Sequence, residues 1–292
     1  MYDWLTRSPA EDIEYDVDVL FGAWPSHPAD TDLATVRKRL TISGIRRALV
    51  ISTRGALFDA AAGNTETLAA ASNEAQPSAI TAAQPSATTE AQQSATAEGQ
   101  HSATAEGQHS ASTEVSGGVE FIPVGTVDLR DAVGVGARLD ELIARGVRWL
   151  RLFTVQQGVQ QPTPAYLHVV EEACARGLVL LHDGDPRRFG LVLAGRGAEV
   201  IFLDLHVYLL TDFLLMARDE PGFRITSRML SSPDGIERVV ETVGANHLVF
   251  GSRTPFMDIS PQTLRLRYAR ISADDRALIA GGNIRALLEK VA

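Results

Sequence analysis

Short runs of apolar residues recur along the chain and alternate with stretches in which apolar residues are spaced three or four apart. The runs are rich in β-branched and aromatic residues, which is typical of strands buried on both faces. They predict eight strands, over residues 15–22, 46–53, 119–127, 147–153, 178–182, 199–206, 223–227 and 247–250. The helical spacing predicts helices at about 33–40, 65–71, 137–144, 164–176, 188–194, 208–218, 233–242, 273–278 and 283–290.

The alternation of these elements determines the expected fold class. Strands that alternate with helices form a parallel sheet, and eight is the number of strands that closes a (β/α)8 barrel. An open doubly wound sheet is the alternative, but no glycine-rich phosphate-binding motif follows the first strand. The sequence therefore predicts an α/β protein, a TIM barrel in a single domain over residues 1–292.

One segment interrupts the pattern between the second and third strands. Residues 74–113 are five copies of an eight-residue unit made almost entirely of Ala, Ser, Thr, Gln and Glu. Such units have no apolar face to stack and cannot offset the entropy lost on ordering. We predict a disordered insertion over 74–116, which a barrel can accommodate because loop-closure entropy grows slowly with loop length. His101 and His109 recur with the unit. Histidines are too sparse here to favour a metal-binding tract, and we interpret them as copies inherited with the repeat.

Composition and charge exclude several classes of function. The formal net charge of −9 argues against binding to nucleic acid through a basic surface. The single cysteine, Cys174, excludes an intramolecular disulfide and suits a reducing compartment. No apolar run approaches the roughly 20 residues of a membrane span, and the first residues do not resemble a signal peptide. We expect a soluble cytoplasmic protein that binds neither nucleic acid nor membrane.

Polar residues stand at the carboxyl ends of the predicted strands, where barrels of this kind carry their active sites. They are Asp18, Arg54, Asp128 or Arg130, Arg151, His182, His206, Ser227 or Arg228, and Arg253. Two histidines ending neighbouring strands, together with Asp18, can form a two-histidine, one-carboxylate metal site. The alternative for each histidine is a hydrogen bond that caps its strand.

The first strand carries acidic residues that a buried strand tolerates only when they are paired. A period of two places Asp16, Asp18 and Leu20 on one face, and Val17, Val19 and Phe21 on the other. Asp18 therefore needs a cationic or hydrogen-bonding partner inside the barrel.

Four stretches carry a resemblance to a known family. They are FIPVGTVD at 121–128, GVRWLRL at 146–152, VFGSRTP at 249–255 and AGGNIRALL at 280–288. In these stretches the chain resembles the amidohydrolase-related (amidohydrolase 2) family of metal-dependent hydrolases and decarboxylases, which are (β/α)8 barrels. The resemblance implies hydrolysis of an amide or lactone, or decarboxylation of an aromatic or enoic acid, with zinc or manganese as cofactor. It also suggests a homodimer.

The chain departs from the family at the metal site. The His-x-His pair of the family's first strand falls on Asp18 and Leu20, and the aspartate of its eighth strand falls on Arg253, whereas His182 and His206 match its histidines. Asp18, His182 and His206 could still supply three ligands for zinc or manganese. A guanidinium about 4 Å from a dication would cost on the order of 8 kcal/mol at an effective dielectric constant near 20. We therefore expect a metal-free site in which Arg253 pairs with Asp18.

Two functions follow from these residues. The first is an amidohydrolase-like small-molecule enzyme, a hydrolase or decarboxylase, with His182, His206 and Asp18 as catalytic candidates. Arg253, Arg151 and Arg54 would then hold an anionic substrate. The second is a non-catalytic barrel that binds an anionic ligand or a protein partner. A third interpretation is that these polar groups only satisfy one another.

Overall fold

The computed structural model describes residues 13–25, 31–72 and 118–291. Eight parallel strands form one sheet in the order of the sequence. They are β1 Tyr15–Phe21, β2 Arg47–Ser52, β3 Glu120–Thr126, β4 Trp149–Leu152, β5 Val179–His182, β6 Val200–Phe202, β7 Phe223–Thr226 and β8 Leu248–Val249. The α-helices are α1 Leu33–Ile42, α2 Thr53–Leu57, α3 Ala60–Ser72, α4 Val135–Ala144, α5 Pro164–Ala175, α6 Pro186–Leu193, α7 Leu210–Ala217, α8 Gly235–Val243, α9 Ser260–Tyr268, α10 Ala273–Ala277 and α11 Asn283–Val291.

The sheet closes between β1 and the chain that follows β8. The Val17 amide donates to the Phe250 carbonyl at 3.1 Å, and the Leu20 amide donates to the Thr254 carbonyl at 2.8 Å. These bonds satisfy backbone groups that an open sheet would leave at an edge. The predicted (β/α)8 TIM barrel is therefore confirmed.

Two apolar layers follow from the alternation of side chains along the strands. The barrel interior holds Leu49, Trp149, Leu181 and Ile201, all buried. Their neighbours in sequence pack between the strands and the surrounding helices, in a second buried cluster. A one-residue offset at a strand end therefore decides whether a polar side chain reaches the barrel mouth or the helix layer.

Side-chain caps help to fix where the helices begin. Asp32 accepts a hydrogen bond from the Thr35 amide at the start of α1. Asp185 does the same for the Arg187 amide at the start of α6, where Pro186 occupies the first helical position. Such caps satisfy amides that have no partner within the helix.

The predicted insertion occupies the expected place in the topology. Residues 73–117 connect α3 to β3, between the second and third strands. The predicted disorder of 74–116, and the two repeat histidines His101 and His109, lie outside the described residues, and the single domain over 1–292 stays a prediction. In the part of the chain that the structure describes, no helix is long and apolar enough to cross a membrane.

Strand β1 contains a bulge that changes which residues share a face. Asp16 pairs with Ala48 and Val19 pairs with Val50, so β1 has one residue more than β2 between these pairs. As a result Val17 packs in the barrel interior with Leu20, while Val19 packs in the helix layer. Asp18 and Leu20 both turn inward as predicted, but the placement of Asp16 with them and of Val17 with Val19 is wrong, because a bulge shifts the alternation by one residue.

Candidate functional site at the barrel mouth

Six charged side chains meet at the carboxyl ends of the strands. We call them the mouth cluster: Asp18, Arg151, Asp183, Asp204, Arg228 and Arg253. They come from β1, from β4 and from the residues that follow β5, β6, β7 and β8. With three guanidinium groups and three carboxylates, the cluster is formally neutral.

Arg253 makes the contacts that hold the cluster together. Its Nε lies 2.9 Å from Asp18 Oδ2, and its Nη2 lies 2.6 Å from Asp204 Oδ1 and 3.6 Å from Asp183 Oδ1. The backbone at Arg253 has φ = 65°, in the left-handed region that non-glycine residues rarely adopt. The predicted pairing of Arg253 with Asp18 is confirmed.

Arg151, which lies in β4, contacts two of these acids, Asp18 and Asp183. Its Nη1 lies 2.9 Å from Asp18 Oδ1 and its Nη2 lies 3.0 Å from Asp183 Oδ1. The guanidinium carbon lies 4.7 Å from the ring centre of Phe153, a distance at which the ring stabilises the cation.

Arg228 completes the cluster from the segment after β7. Its Nη2 donates to Asp204, and its Nε lies 3.6 Å from Asp18 Oδ2. Arg265 on α9 fixes this segment, because its Nη1 donates to the carbonyls of Ser227, Arg228 and Leu230 at 3.2, 2.9 and 3.1 Å.

The charges determine the protonation of the acids. Burial raises the pKa of Asp18, but Arg253, Arg151 and Arg228 outweigh burial and lower it to about 2. For Asp183 burial is the larger effect and raises its pKa, with Arg151 acting in the opposite direction. Asp18 is thus an anion at neutral pH and cannot donate a proton there.

Two guanidinium nitrogens of the cluster remain available to a ligand. Among the described residues Arg253 Nη1 has no hydrogen-bond partner, and Arg228 Nη1 has only the Met257 sulfur at 3.3 Å, a weak acceptor. The Arg253 side chain is 14 % exposed and that of Asp204 is 29 % exposed, so solvent reaches the cluster here.

The residues at the mouth do not fit the zinc or manganese that the family resemblance implies. In residues 13–25, 31–72 and 118–291, no group of three or more His, Cys, Asp or Glu side chains could hold a metal ion. Asp18, Asp183 and Asp204 each face a guanidinium group. A guanidinium stays protonated and has no lone pair to offer a metal.

His182 lies on the other side of its strand. Because Leu181 faces the barrel interior, His182 points into the helix layer. There its Nε2 lies 3.0 Å from the Tyr166 hydroxyl, and its ring packs against Phe189 and Phe202. Burial lowers its pKa to about 3, and its Nδ1 has no partner within the described residues. The predicted convergence of His182 with Asp18 is wrong, because the mouth-facing position is one residue later, at Asp183.

His206 and Arg54 lie outside the mouth cluster. His206 caps a short 3₁₀ helix: its Nδ1 lies 3.4 Å from the Tyr208 amide, and its ring stacks on Tyr208. Strand β6 ends at Phe202, so the mouth position that the sequence gave to His206 belongs to Asp204. Arg54 pairs with Glu66 at 2.9 Å and borders a separate open cavity of about 390 Å³.

Sequence reasoning missed Asp183 and Asp204, and gave Arg228 only as an alternative to Ser227. A signal for the two acids was present, since Asp183 follows His182 directly and Asp204 precedes His206 by two residues. Asp128 and Arg130, which the sequence gave as alternatives for the mouth, form a salt bridge with each other at 2.7 Å. The catalytic roles given to His182, His206 and Asp18, and the anion-binding role given to Arg54, stay predictions.

The comparisons with known proteins found similar structures but no matching sequence. No family model matches it, and no curated protein matches it. Among solved structures it is similar to 2,6-dihydroxybenzoate decarboxylase from Rhizobium, with 13 % identity, a TM-score of 0.62 and coverage of 96 % of this chain and 100 % of that one. It is also similar to dihydroxybenzoic acid decarboxylase from Polaromonas sp. JS666 with bound manganese, at 10 % identity, a TM-score of 0.62 and coverage of 96 % and 97 %.

A third similar structure is a Pseudomonas putida protein assigned as a 2-pyrone-4,6-dicarboxylic acid hydrolase. It shares 14 % identity, with a TM-score of 0.63 and coverage of 94 % of this chain and 97 % of that one. Identities this low establish the fold and leave the activity open. The resemblance to amidohydrolase-related decarboxylases and hydrolases, stated from the sequence motifs, is confirmed at the level of the fold.

Proposed function

We propose that this protein is an amidohydrolase-like barrel that binds a small carboxylated molecule at its mouth without a metal. The observation that carries the proposal is the pair of incompletely bonded guanidinium nitrogens, Arg253 Nη1 and Arg228 Nη1. Arginine is well suited to carboxylates, because its planar N–H groups match their geometry and its charge persists at any physiological pH.

The acids of the cluster support this function by holding the arginines in place. Asp18 and Asp204 each contact both Arg253 and Arg228. Guanidinium groups that are already fixed lose little side-chain entropy when a ligand binds. The cluster thus combines a formally neutral set of charges with two guanidinium nitrogens that lack a strong acceptor.

The class of ligand follows from the surroundings and from the neighbours. Met257, which is 40 % exposed, lies beside Arg228 and offers an apolar contact. Several neighbouring structures are named for cyclic acids, and one of them, a 2,6-dihydroxybenzoate decarboxylase, holds 2,6-dihydroxybenzoate. We therefore favour a small aromatic or cyclic carboxylate as the ligand of this site.

Calorimetric titration with benzoate, 2,6-dihydroxybenzoate and a pyrone dicarboxylate tests the proposal. We expect at least one of them to bind, and Arg253→Lys to weaken its binding 10-fold or more, since lysine keeps the charge but has a single nitrogen. Arg228→Lys should act in the same direction. Arg130→Lys is the matched control, because Arg130 is an exposed arginine that pairs with Asp128 outside the cluster. Two results would contradict the proposal. One is equal affinity of the native protein and Arg253→Lys. The other is no binding to the native protein at ligand concentrations up to 10 mM, which corresponds to a binding free energy weaker than about 2.7 kcal/mol.

Decarboxylation or hydrolysis of the bound acid is the second candidate function. It is favoured by the neighbouring decarboxylases and by His206, which is partly exposed two residues beyond Asp204. His206 would exchange a proton with the substrate, since His182 is enclosed in the helix layer. Zinc or manganese is the alternative cofactor that the family resemblance implies, and one neighbour holds manganese, but the described residues at the mouth do not fit such an ion. Product formation that disappears in His206→Ala while binding persists would distinguish this candidate from binding alone.

A further inference from the structure

Asp16 is a fully buried acid that the proposed function does not use. It lies in β1 two residues before Asp18, at the bulge in that strand. Its side chain makes no ion pair with any described arginine or lysine, so charge pairing does not account for its burial. A buried carboxylate without hydrogen bonds would be strongly destabilising.

The carboxylate of Asp16 bonds to backbone on both sides of the seam between β1 and β8. Its Oδ1 accepts hydrogen bonds from the Asp18 amide at 3.1 Å and from the Ser252 amide at 3.0 Å. Its Oδ2 accepts one from the Ser252 hydroxyl at 2.5 Å. The Ser252 oxygen in turn accepts a hydrogen bond from the Thr254 amide at 3.0 Å. The Asp16 side chain thus bonds directly to the backbone at Asp18 and Ser252, and through the Ser252 hydroxyl it is linked to the Thr254 amide on the other side of Arg253.

Both of these places depart from regular strand geometry. Asp18 lies within the bulge, and Arg253 has a left-handed backbone, which is unfavourable for a residue with a Cβ atom. Neither conformation is imposed by the strand ladder, so each needs other contacts to persist. The Asp16 carboxylate supplies contacts to both.

We propose that Asp16 is a positioning residue for the mouth cluster: it ties the β1 bulge to the turn after β8 and so brings Asp18 and Arg253 within hydrogen-bonding distance. The inference rests on the proposed carboxylate binding and deepens it, because it names what holds the binding arginine in place. It also makes a claim about the ligand-free protein that can be tested separately.

The first test uses the ligand-free protein and nuclear magnetic resonance. In the native protein the Arg253 Nε–H, bonded to Asp18, should give a slowly exchanging resonance, as should the Ser252 amide. In Asp16→Ala we expect both to exchange at least 10-fold faster, while the protein remains folded by circular dichroism. Asp185→Ala is the matched control: it removes the carboxylate that caps α6 but touches no residue of the cluster. Unchanged Arg253 Nε–H exchange in Asp16→Ala would overturn the inference.

The second test uses a conservative variant and ligand affinity. Asp16→Asn keeps an oxygen that can accept from the Ser252 and Asp18 amides, so it should restore most of the slow exchange lost in Asp16→Ala. Carboxylate binding should weaken 10-fold or more in Asp16→Ala. In a cycle with Arg253→Lys the two losses should not add, because both act through the same guanidinium. Full additivity would reject positioning. If the native protein binds no carboxylate, the proposed function fails while the exchange measurement still decides the role of Asp16.

Discussion

At the scale of single residues, the main feature is an arginine among three aspartates, of which Asp18 and Asp183 are fully buried. Arg253 contacts Asp18, Asp183 and Asp204, and the charges of these acids keep it protonated. Their charges raise its pKa above the usual value against the opposing effect of burial. Removing one partner from such a buried network leaves the others uncompensated, which costs about 3–5 kcal/mol in comparable cases. The stability of the site therefore depends on the sign of the charge at position 253.

Arg253→Asp should convert the site from one that repels cations to one that attracts them. We expect the variant to lose about 3 kcal/mol or more of unfolding free energy in buffer with a chelator, because acids then face one another. Manganese at 100 times its dissociation constant should restore about 2.7 kcal/mol by binding only the folded state. Adding Leu20→His, at the other position where the family carries a ligand, should increase the effect.

Thermal denaturation with and without manganese measures both effects. Arg130→Asp provides the control for adding an acid elsewhere on the same face, and its melting temperature should not respond to manganese. An Arg253→Asp variant that is equally stable with and without the ion would show that the mouth does not correspond to the metal position that the family resemblance implies.

At the scale of elements, the offset of one residue decides what each strand presents to the mouth. In β5 the interior residue is Leu181, so Asp183 reaches the mouth and His182 enters the helix layer. In β1 the bulge lets both Val17 and Asp18 turn inward. A histidine enclosed with Tyr166, Phe189 and Phe202 serves packing, and it makes stability depend on pH.

His182 should make the protein less stable as the pH falls from 6.5 towards 3. Its folded-state pKa is about 3 and its ordinary value is 6.5, so in this window the unfolded chain binds a proton that the folded chain does not. The loss is at most about 1.4 kcal/mol per pH unit. Replacing His182 and Tyr166 together, with Leu and Phe, removes this titration and leaves no partner unpaired.

Chemical denaturation at pH 7 and pH 4.5 measures the difference. We expect the native protein to lose about 2–3 kcal/mol more than the double variant over this interval. Asp16 acts with the opposite sign, since burial raises its pKa to about 7 and the folded state then gains a proton first as the pH falls. That contribution is common to both proteins and cancels in the comparison. Parallel pH dependences would contradict the enclosed position of His182.

At the scale of the whole molecule, the barrel is complete in the described residues. All eight strands pair in sequential order, and β1 bonds to the chain after β8. The segment 73–117 enters between α3 and β3, and we expect the strand pairing not to depend on its sequence. Its length adds little to the entropy of loop closure, because each doubling costs only about 0.6 kcal/mol.

Replacing residues 73–117 with a flexible linker of about ten residues should leave the fold intact. We expect a single cooperative unfolding transition and a change in unfolding free energy below about 2 kcal/mol, from the shorter loop. Chemical denaturation and circular dichroism measure both, and the carboxylate titration shows whether the mouth is preserved. A shuffled insertion of native length is the control. Loss of cooperative unfolding in the linker variant alone would show that the repeats contribute to the core.

The sequence alone determined the succession of strands and helices in this protein, and with it the fold class. Apolar runs of strand length, alternating with helical spacing, predict the (β/α)8 barrel, because burial on both faces of a parallel strand requires a continuous apolar run. The family motifs also located Arg253 and Asp18, and the repulsion between a guanidinium and a metal ion predicted their pairing. These conclusions depend on residue type and approximate position.

Only the tertiary structure decided which side chains reach the mouth. Successive side chains of a strand point to opposite faces. A bulge in β1 or an early end of β6 therefore changes which side chains reach the mouth and which lie in the helix layer. Periodicity cannot place such irregularities, because they are fixed by contacts far apart in sequence, such as that between Asp16 and Ser252. For this reason the sequence indicated His182 and His206, while the fold brought Asp183 and Asp204 to the arginines.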